Sequence, residues 1–267
     1  MSEPERMVLL IDLYLGPQFG LFELQEQRML PFNPAQHPLF GHPMARGMVL
    51  PEFRGTLAVA EELDCARFHP RFVSEEFDEE PTCWVGDILL FLRDGHGPYI
   101  VDQDIKDTSS SFELPTIGVT LRTDLSRLMT KERARHKVQE VLYRDVGIPT
   151  RRIAGDEVNP ILIGNLYQLH AWSRRKASLN ASQQEHLLDS LREGMDKGAS
   201  AWEVLKLLEL SHGYPTYHSK IVMYQAIWIQ RLRLELLSAR LWIDEPMVPE
   251  VRRVVDEYGH WFSRGEK

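Results

Sequence analysis

Two apolar stretches flank a turn signal between Thr82 and Lys106. Cys83-Trp84-Val85 leads into Asp87-Ile88-Leu89-Leu90-Phe91-Leu92, Asp94-Gly95-His96-Gly97 interrupts, and Tyr99-Ile100-Val101-Asp102-Gln103-Asp104-Ile105-Lys106 follows. Two strands around a glycine-containing turn predict a β-hairpin. Side chains alternate along a strand. Tyr99, Val101 and Ile105 therefore share one face, and Asp102, Asp104 and Lys106 share the other.

Helical periodicity dominates elsewhere. Leu57–Phe68 reads as a short helix with Leu57, Ala60, Leu63 and Cys65 on its apolar side. Thr130 caps a helix to about Asp145 that turns Val138, Val141 and Leu142 inward, and Gly147 is placed to end it. Thr150–Ala154 reads as a strand and Asn159–Trp172 as a helix. Hairpin, helix, strand, helix is an α/β order. After the polar stretch Ser173–Asn180, helices are expected near 183–196, 201–210 and 218–238, with capping boxes at Ser182/Glu185 and Ser200/Glu203. Leu241-Trp242-Ile243 reads as a short strand. Three helices and a strand fit a winged-helix-like module, and a plain helical bundle is the alternative. The first fifty residues, punctuated by prolines 31, 34, 38 and 43, predict an extended arm.

Composition narrows the function. The 267 residues are 43% hydrophobic and 26% charged, ordinary for a globular protein. No apolar run approaches the ~20 residues of a membrane span. Met7–Leu15 contains Asp12 and lacks a basic leader, so it makes a poor signal peptide and a cytoplasmic protein is expected. The net charge of −8 counts against a broad DNA-gripping surface and suggests that something else delivers any DNA. Cys65 and Cys83 form no metal-binding pair.

The chemistry concentrates on the hairpin. Asp104 and Lys106 point a carboxylate and an ammonium into one space, and Asp87, at the mouth of the first strand, can reach it. Carboxylates hold Mg²⁺ together with several waters. The metal polarises a phosphoryl oxygen and acidifies bound water, and a lysine orients that water and offsets developing charge. The same alternation also describes a solvated outer strand, and the hairpin alone leaves both readings open.

This constellation resembles the TnsA family, the endonuclease subunits of heteromeric cut-and-paste transposases, which have a restriction-endonuclease-like fold. That family shows an Asp before an apolar strand, a glycine-containing turn and a strand ending in Glu/Gln-x-Lys. Here these are Asp87, the turn at 94–97 and Asp104-Ile105-Lys106. Glu79-Glu80-Pro81 matches an upstream acidic segment, and counting back about twenty residues gives Glu61 as the family's helix carboxylate, with Glu62 a neighbouring register. Arg133–Asp145, Ile148–Ala154 and Asn159-Pro160 follow the family's order downstream.

The resemblance covers roughly residues 50–172 and implies a catalytic domain over 51–172 with a mixed sheet flanked by helices, after the arm over 1–50; the helical, winged-helix-like domain over 173–267 also fits the family's layout. It implies that Glu61, Asp87 and Asp104 hold Mg²⁺ (or Mn²⁺), with Lys106 serving the water. The implied reaction is cleavage at the 5′ ends of a transposon. A TnsB-like transposase would process the 3′ ends and a TnsC-like AAA+ ATPase would regulate both. Two positions depart from the family pattern: Gly86 replaces a common proline, and Asp104 replaces a longer Glu/Gln. They motivate an alternative, a TnsA-like module without chemistry that bridges transposase and ATPase. A stand-alone restriction-type nuclease is a third reading.

Overall fold

The structure, a computed structural model, describes residues 1–72, 80–112 and 130–265. It divides into two compact units. One comprises Met1–Arg6, Gly16–Glu157 and Trp261–Lys267, and the other Met7–Leu15 and Val158–His260.

The first unit is α/β and is built on a mixed four-stranded sheet. Its strands, in spatial order, are β1 (Glu23–Glu26), β2 (Ile88–Asp94), β3 (Gly97–Lys106) and β4 (Thr150–Ala154). The first three are antiparallel and β4 runs parallel to β3. The expected hairpin forms, with Asp94 paired to Gly97 across the turn. Gly97 adopts φ +104°, which a glycine reaches without strain. Ile88–Leu92 are all buried, so the apolar run of β2 marks a strand covered on both faces.

Two helices cover one face. They are α2 (Thr56–Glu62) and α3 (Lys131–Asp145), and they meet Leu89, Phe91 and Ile100 through Val59, Ala60, Ala134, Val138, Val141 and Leu142. Thr130 caps α3 by accepting the Arg133 N–H, as its sequence position requires. Gly55 begins α2 at φ +91°, and a Cβ there would sit 2.5 Å from the Phe32 carbonyl oxygen, so only glycine fits.

The first fifty residues are not an extended arm. Glu3–Leu15 is a helix, α1, and β1 pairs along β2. The arm expectation rested on prolines, but these fall only after β1, and the helical period of Met7–Leu15 precedes them.

The second unit is helical, with α4 (Pro160–Ser173), α5 (Ala181–Asp196), α6 (Ala201–His212), α7 (Thr216–Trp228) and α8 (Val254–Tyr258). The Ser200/Glu203 capping box is present. The first box is formed by Asn180 and Gln183 rather than by Ser182 and Glu185. Helix α7 stops at Trp228, ten residues short of the expected end. Gln230 enters the left-handed region at φ 62°, and the following coil is bound by buried polar groups. Asn165 donates to the Leu236 and Ala239 carbonyls and accepts the Leu241 N–H. Glu235 accepts the N–H groups of Leu237, Ser238, Val251 and Arg252. Apolar residues beyond Trp228 therefore pack as coil, and Leu241–Ile243 forms no strand. Among the described residues, no helix is long and apolar enough to cross a membrane.

Candidate active site

The hairpin register builds the site. Leu89 pairs with Asp102, so Asp87, two residues before Leu89, comes opposite Asp104, two residues beyond Asp102. Both carboxylates lie on the face covered by α3. Asp87 Oδ2 accepts the Ile105 N–H at 2.7 Å. Arg135 reaches both acids: Nη1 is 3.6 Å from Asp87 Oδ1, a charge contact, and Nη2 is 3.4 Å from Asp104 Oδ1. His136 Nδ1 lies 2.6 Å from Asp104 Oδ2. Lys106 pairs with Glu132, which also faces His136.

These groups are not a solvated outer face. Asp104 is 2% exposed and Asp102 1%. A carboxylate so far from water persists only where protein groups replace its hydration, and α3 supplies them. Burial pushes the Asp87 carboxyl above its ordinary range, and the Asp104 charge adds to the shift. The Ile105 N–H and the Arg135 guanidinium oppose it. Glu132 is held low by the hydrogen bond and charge of Lys106.

Asp102 sits one pair deeper. Gln139 Nε2 lies 3.0 Å from both of its oxygens, and the Thr150 hydroxyl donates to Oδ2 at 2.8 Å. Burial nevertheless pushes its carboxyl up to about 8. Gln139 Oε1, buried beside it, has no hydrogen-bond partner. Turning that amide over lets Oε1 accept the proton that burial places on Asp102. A folded-state value raised above the ordinary 3.8 means that the folded chain keeps a proton the unfolded chain has lost. Stability therefore falls as pH rises from about 4 to 8. Asp102→Asn is expected to flatten that slope and to be the more stable protein at pH 8, by on the order of 1–3 kcal/mol. Denaturant unfolding at pH 5 and pH 8 reads this directly, and identical slopes for the two proteins would remove the assignment.

Asp87, Asp104 and Lys106 are thus brought together, and Glu61 does not join them. It is exposed on α2, and its neighbour Glu62 pairs with Arg54, which also pairs with Asp145 at the far end of α3. Asp145 lies nine residues beyond His136, about 13 Å along a helix rising 1.5 Å per residue. Glu79 lies outside the described residues, while Glu80 and Pro81 pair with Phe72 and Arg71. Among the described residues, no group of three or more His, Cys, Asp and Glu side chains is arranged to hold a metal.

The groups the sequence reading missed are those of α3. Glu132, Arg135, His136 and Gln139 recur at i, i+3, i+4 and i+7, the spacing of one helix face. This polar stripe was readable beside the apolar positions Val138, Val141 and Leu142.

Gly86 can also be explained. Its N–H donates to the Arg28 carbonyl at 2.9 Å, a bond that proline cannot make. A Cβ there meets nothing closer than 3.5 Å. Gly86→Ala is expected to fold normally and gain about 0.4–1 kcal/mol. Gly86→Pro is expected to lose about 1 kcal/mol through the missing bond. Chemical denaturation separates the two, and a destabilised alanine variant would contradict the geometry.

Compared with known families and curated proteins, the chain matches no family model and no curated protein.

The donor set can be tested against Mg²⁺. A half-buried and a buried carboxylate, Asp87 and Asp104, facing each other across a hairpin match an ion that commonly takes one or two carboxylates and keeps several waters. Their present neutralising group is a guanidinium spanning the pair, so negative charge is gathered where a cation belongs. Two of the donors suit the ion, and they are open to it only once both Arg135 and His136 leave the pair.

Proposed function

We propose that this chain is a Mg²⁺-dependent DNA endonuclease subunit of a heteromeric cut-and-paste transposase, cleaving the 5′ ends of the element. A TnsB-like transposase would process the 3′ ends under a TnsC-like AAA+ ATPase. The observation that carries the reading is the Asp87–Asp104 pair, half-buried and buried under α3, with Lys106 on the same face of β3. A restriction-endonuclease-like fold for the sheet unit agrees with the mixed sheet and its helix-covered face. The winged-helix-like reading of the helical unit rests on its run of helices, since among its described residues there are isolated bridges at Ser200–Pro246 and Leu234–Pro249 but no strand.

In this reading Asp87 and Asp104 hold Mg²⁺ or Mn²⁺, which when bound polarises the phosphoryl oxygen and acidifies a water. Asp87 is oriented by the Ile105 N–H, and burial between the sheet and α3 strengthens each charge interaction. Lys106, once separated from Glu132, donates toward the attacking water and the phosphate oxygens. Glu61 is left out of the ligand set because its side chain faces solvent at the other end of the α2–α3 pair. The test is 5′-strand cleavage at transposon ends in a system reconstituted with the partner transposase, comparing the parent with Asp87→Asn and Lys106→Ala.

One observation favours the second reading, a bridging module without chemistry: the chain's own cations satisfy every charge of the site. Asp104 is taken by Arg135 and His136, and Lys106 by Glu132. Full transposition by Asp104→Ala with unchanged products would select the bridging module.

A further inference from the structure

The helical unit carries a cation cluster that the hairpin chemistry does not use. The chain has 39 acidic residues, yet none lies between Val158 and Gln184 or between Leu210 and Leu234. Those stretches contain α4 and α7, which pack against each other. Their junction gathers Arg174, Arg175 and Lys176 after α4 with His218 and Lys220 on α7. None of the ion pairs among the described residues includes Arg174, Arg175, Lys176 or Lys220. Most other cations of this unit have a carboxylate partner, among them Arg192, Lys206, Arg231 and Arg253.

The cluster is held in place. The Arg175 guanidinium lies over the Trp172 ring at 4.0 Å, and Nη1 donates to the Tyr217 hydroxyl at 3.2 Å. Lys220 Nζ lies 5.1 Å from the same ring and 5.7 Å from that of Tyr224. Gln225 donates to the Arg175 carbonyl at 2.6 Å and so fixes the turn that carries the three cations. Arg174, Arg175 and Lys176 are exposed. Cations ordered on aromatic rings give up little further freedom on binding an anion.

We infer that this α4–α7 junction binds the phosphate backbone of duplex DNA without reading its sequence. Trp172 is engaged by Arg175, Lys220 and Tyr217, whose ring centroid is 5.9 Å away, so it serves to order cations rather than to stack an unpaired base. Spaced, unneutralised charges suit phosphates, which fix register without specifying sequence. The choice of DNA as the polyanion rests on the endonuclease reading, while the charge cluster itself does not. The patch also answers the net charge of −8, since a local cluster of cations outside any ion pair can grip DNA where the whole molecule repels it.

The test measures binding of a short random-sequence duplex to the full chain in EDTA, by fluorescence anisotropy over a salt series. Neutralising Arg174, Arg175, Lys176 and Lys220 to Gln is expected to weaken binding by about 30-fold or more at low salt. It should also flatten the log–log salt slope by about 3–4, close to 0.9 per lost phosphate contact. Arg174→Glu with Lys176→Glu, which disturbs no aromatic contact, is expected to give the same direction of change. Arg175→Lys, which keeps the charge, should largely retain affinity. Neutralising the ion-paired Arg192, Lys197 and Lys206 is the control and should change little. Unchanged affinity and slope in the patch variants, or an equal loss in the control, overturns the inference. So does preferential capture of single-stranded DNA or of phosphatidylserine vesicles by the same residues. Because EDTA removes any metal chemistry, binding reads the patch and strand cleavage with Mg²⁺ reads the hairpin, so a failed nuclease reading and a failed patch give different results.

Discussion

Asp87→Asn is expected to lower 5′-strand cleavage by about a thousandfold or more while leaving the fold intact. The asparagine side-chain oxygen still accepts the Ile105 N–H, so the geometry of the hairpin mouth survives. What is lost is the negative charge that, in the proposed endonuclease, would place a metal against the phosphate. Metal-assisted stabilisation of a phosphoryl transition state is worth several kcal/mol, and each 1.36 kcal/mol is tenfold in rate. Lys106→Ala should lose activity to a comparable degree, because the ammonium is the one cation of the site carried on the same strand as Asp104. Strand-specific cleavage at defined ends measures both. Undiminished cutting by both variants would leave the bridging module as the better description.

Arg135→Gln has the largest expected effect on stability. The guanidinium is the shared counter-charge of two carboxylates that are 13% and 2% exposed. Removing one partner of a buried charge cluster typically costs about 3–5 kcal/mol, because the other charges stay behind unpaired. If Asp87 and Asp104 form a metal site, Mg²⁺ or Mn²⁺ should restore much of that loss. Binding at about a hundred times the dissociation constant is worth about 2.7 kcal/mol. Thermal unfolding of parent and variant, with and without divalent ion, reads the difference. The variant should gain far more than the parent, since in the parent the ion must first displace Arg135. Equal and small gains would show that the pair has no use for a divalent cation.

The hairpin was legible in the sequence because two local signals, period-two alternation and a glycine turn, agree there. The placement of Asp87 opposite Asp104 follows from the turn alone, since a two-residue loop fixes every later pair. Helix α3 and strand β4 were legible for similar reasons: Thr130 caps one, and the short stretch Thr150–Ala154, bounded by Pro149 and Gly155, marks the other. The burial of the polar face was not legible. Alternating charges look the same whether water or a helix covers them, and only the polar stripe of α3 held the answer. Glu61 was placed by counting residues from a resemblance, and spacing along a chain does not fix which way a short helix turns. The coil after Trp228 escaped because its hydrogen-bond partners, Asn165 and Glu235, are set by tertiary neighbours rather than by the local run of apolar side chains.

The stripe Glu132, Arg135, His136 and Gln139 also has a mechanical consequence. A helix held on a sheet by aliphatic contacts alone can slide by one turn, about 5.4 Å, and find similar packing. Here each residue of the stripe answers a particular group on β3 or just before β2: Lys106, Asp87 with Asp104, Asp104 and Asp102 in turn. A slip of one turn strands all of these charges together, so α3 has one seat on the sheet. In the proposed endonuclease, a cation that took over the Asp87–Asp104 pair would free Arg135 and His136 from their posts and loosen the first turns of α3, while Gln139 would keep its hold on Asp102. Occupancy of the carboxylate pair and the freedom of that helix end would then be one coupled equilibrium, which amide exchange along Lys131–Lys137 would report.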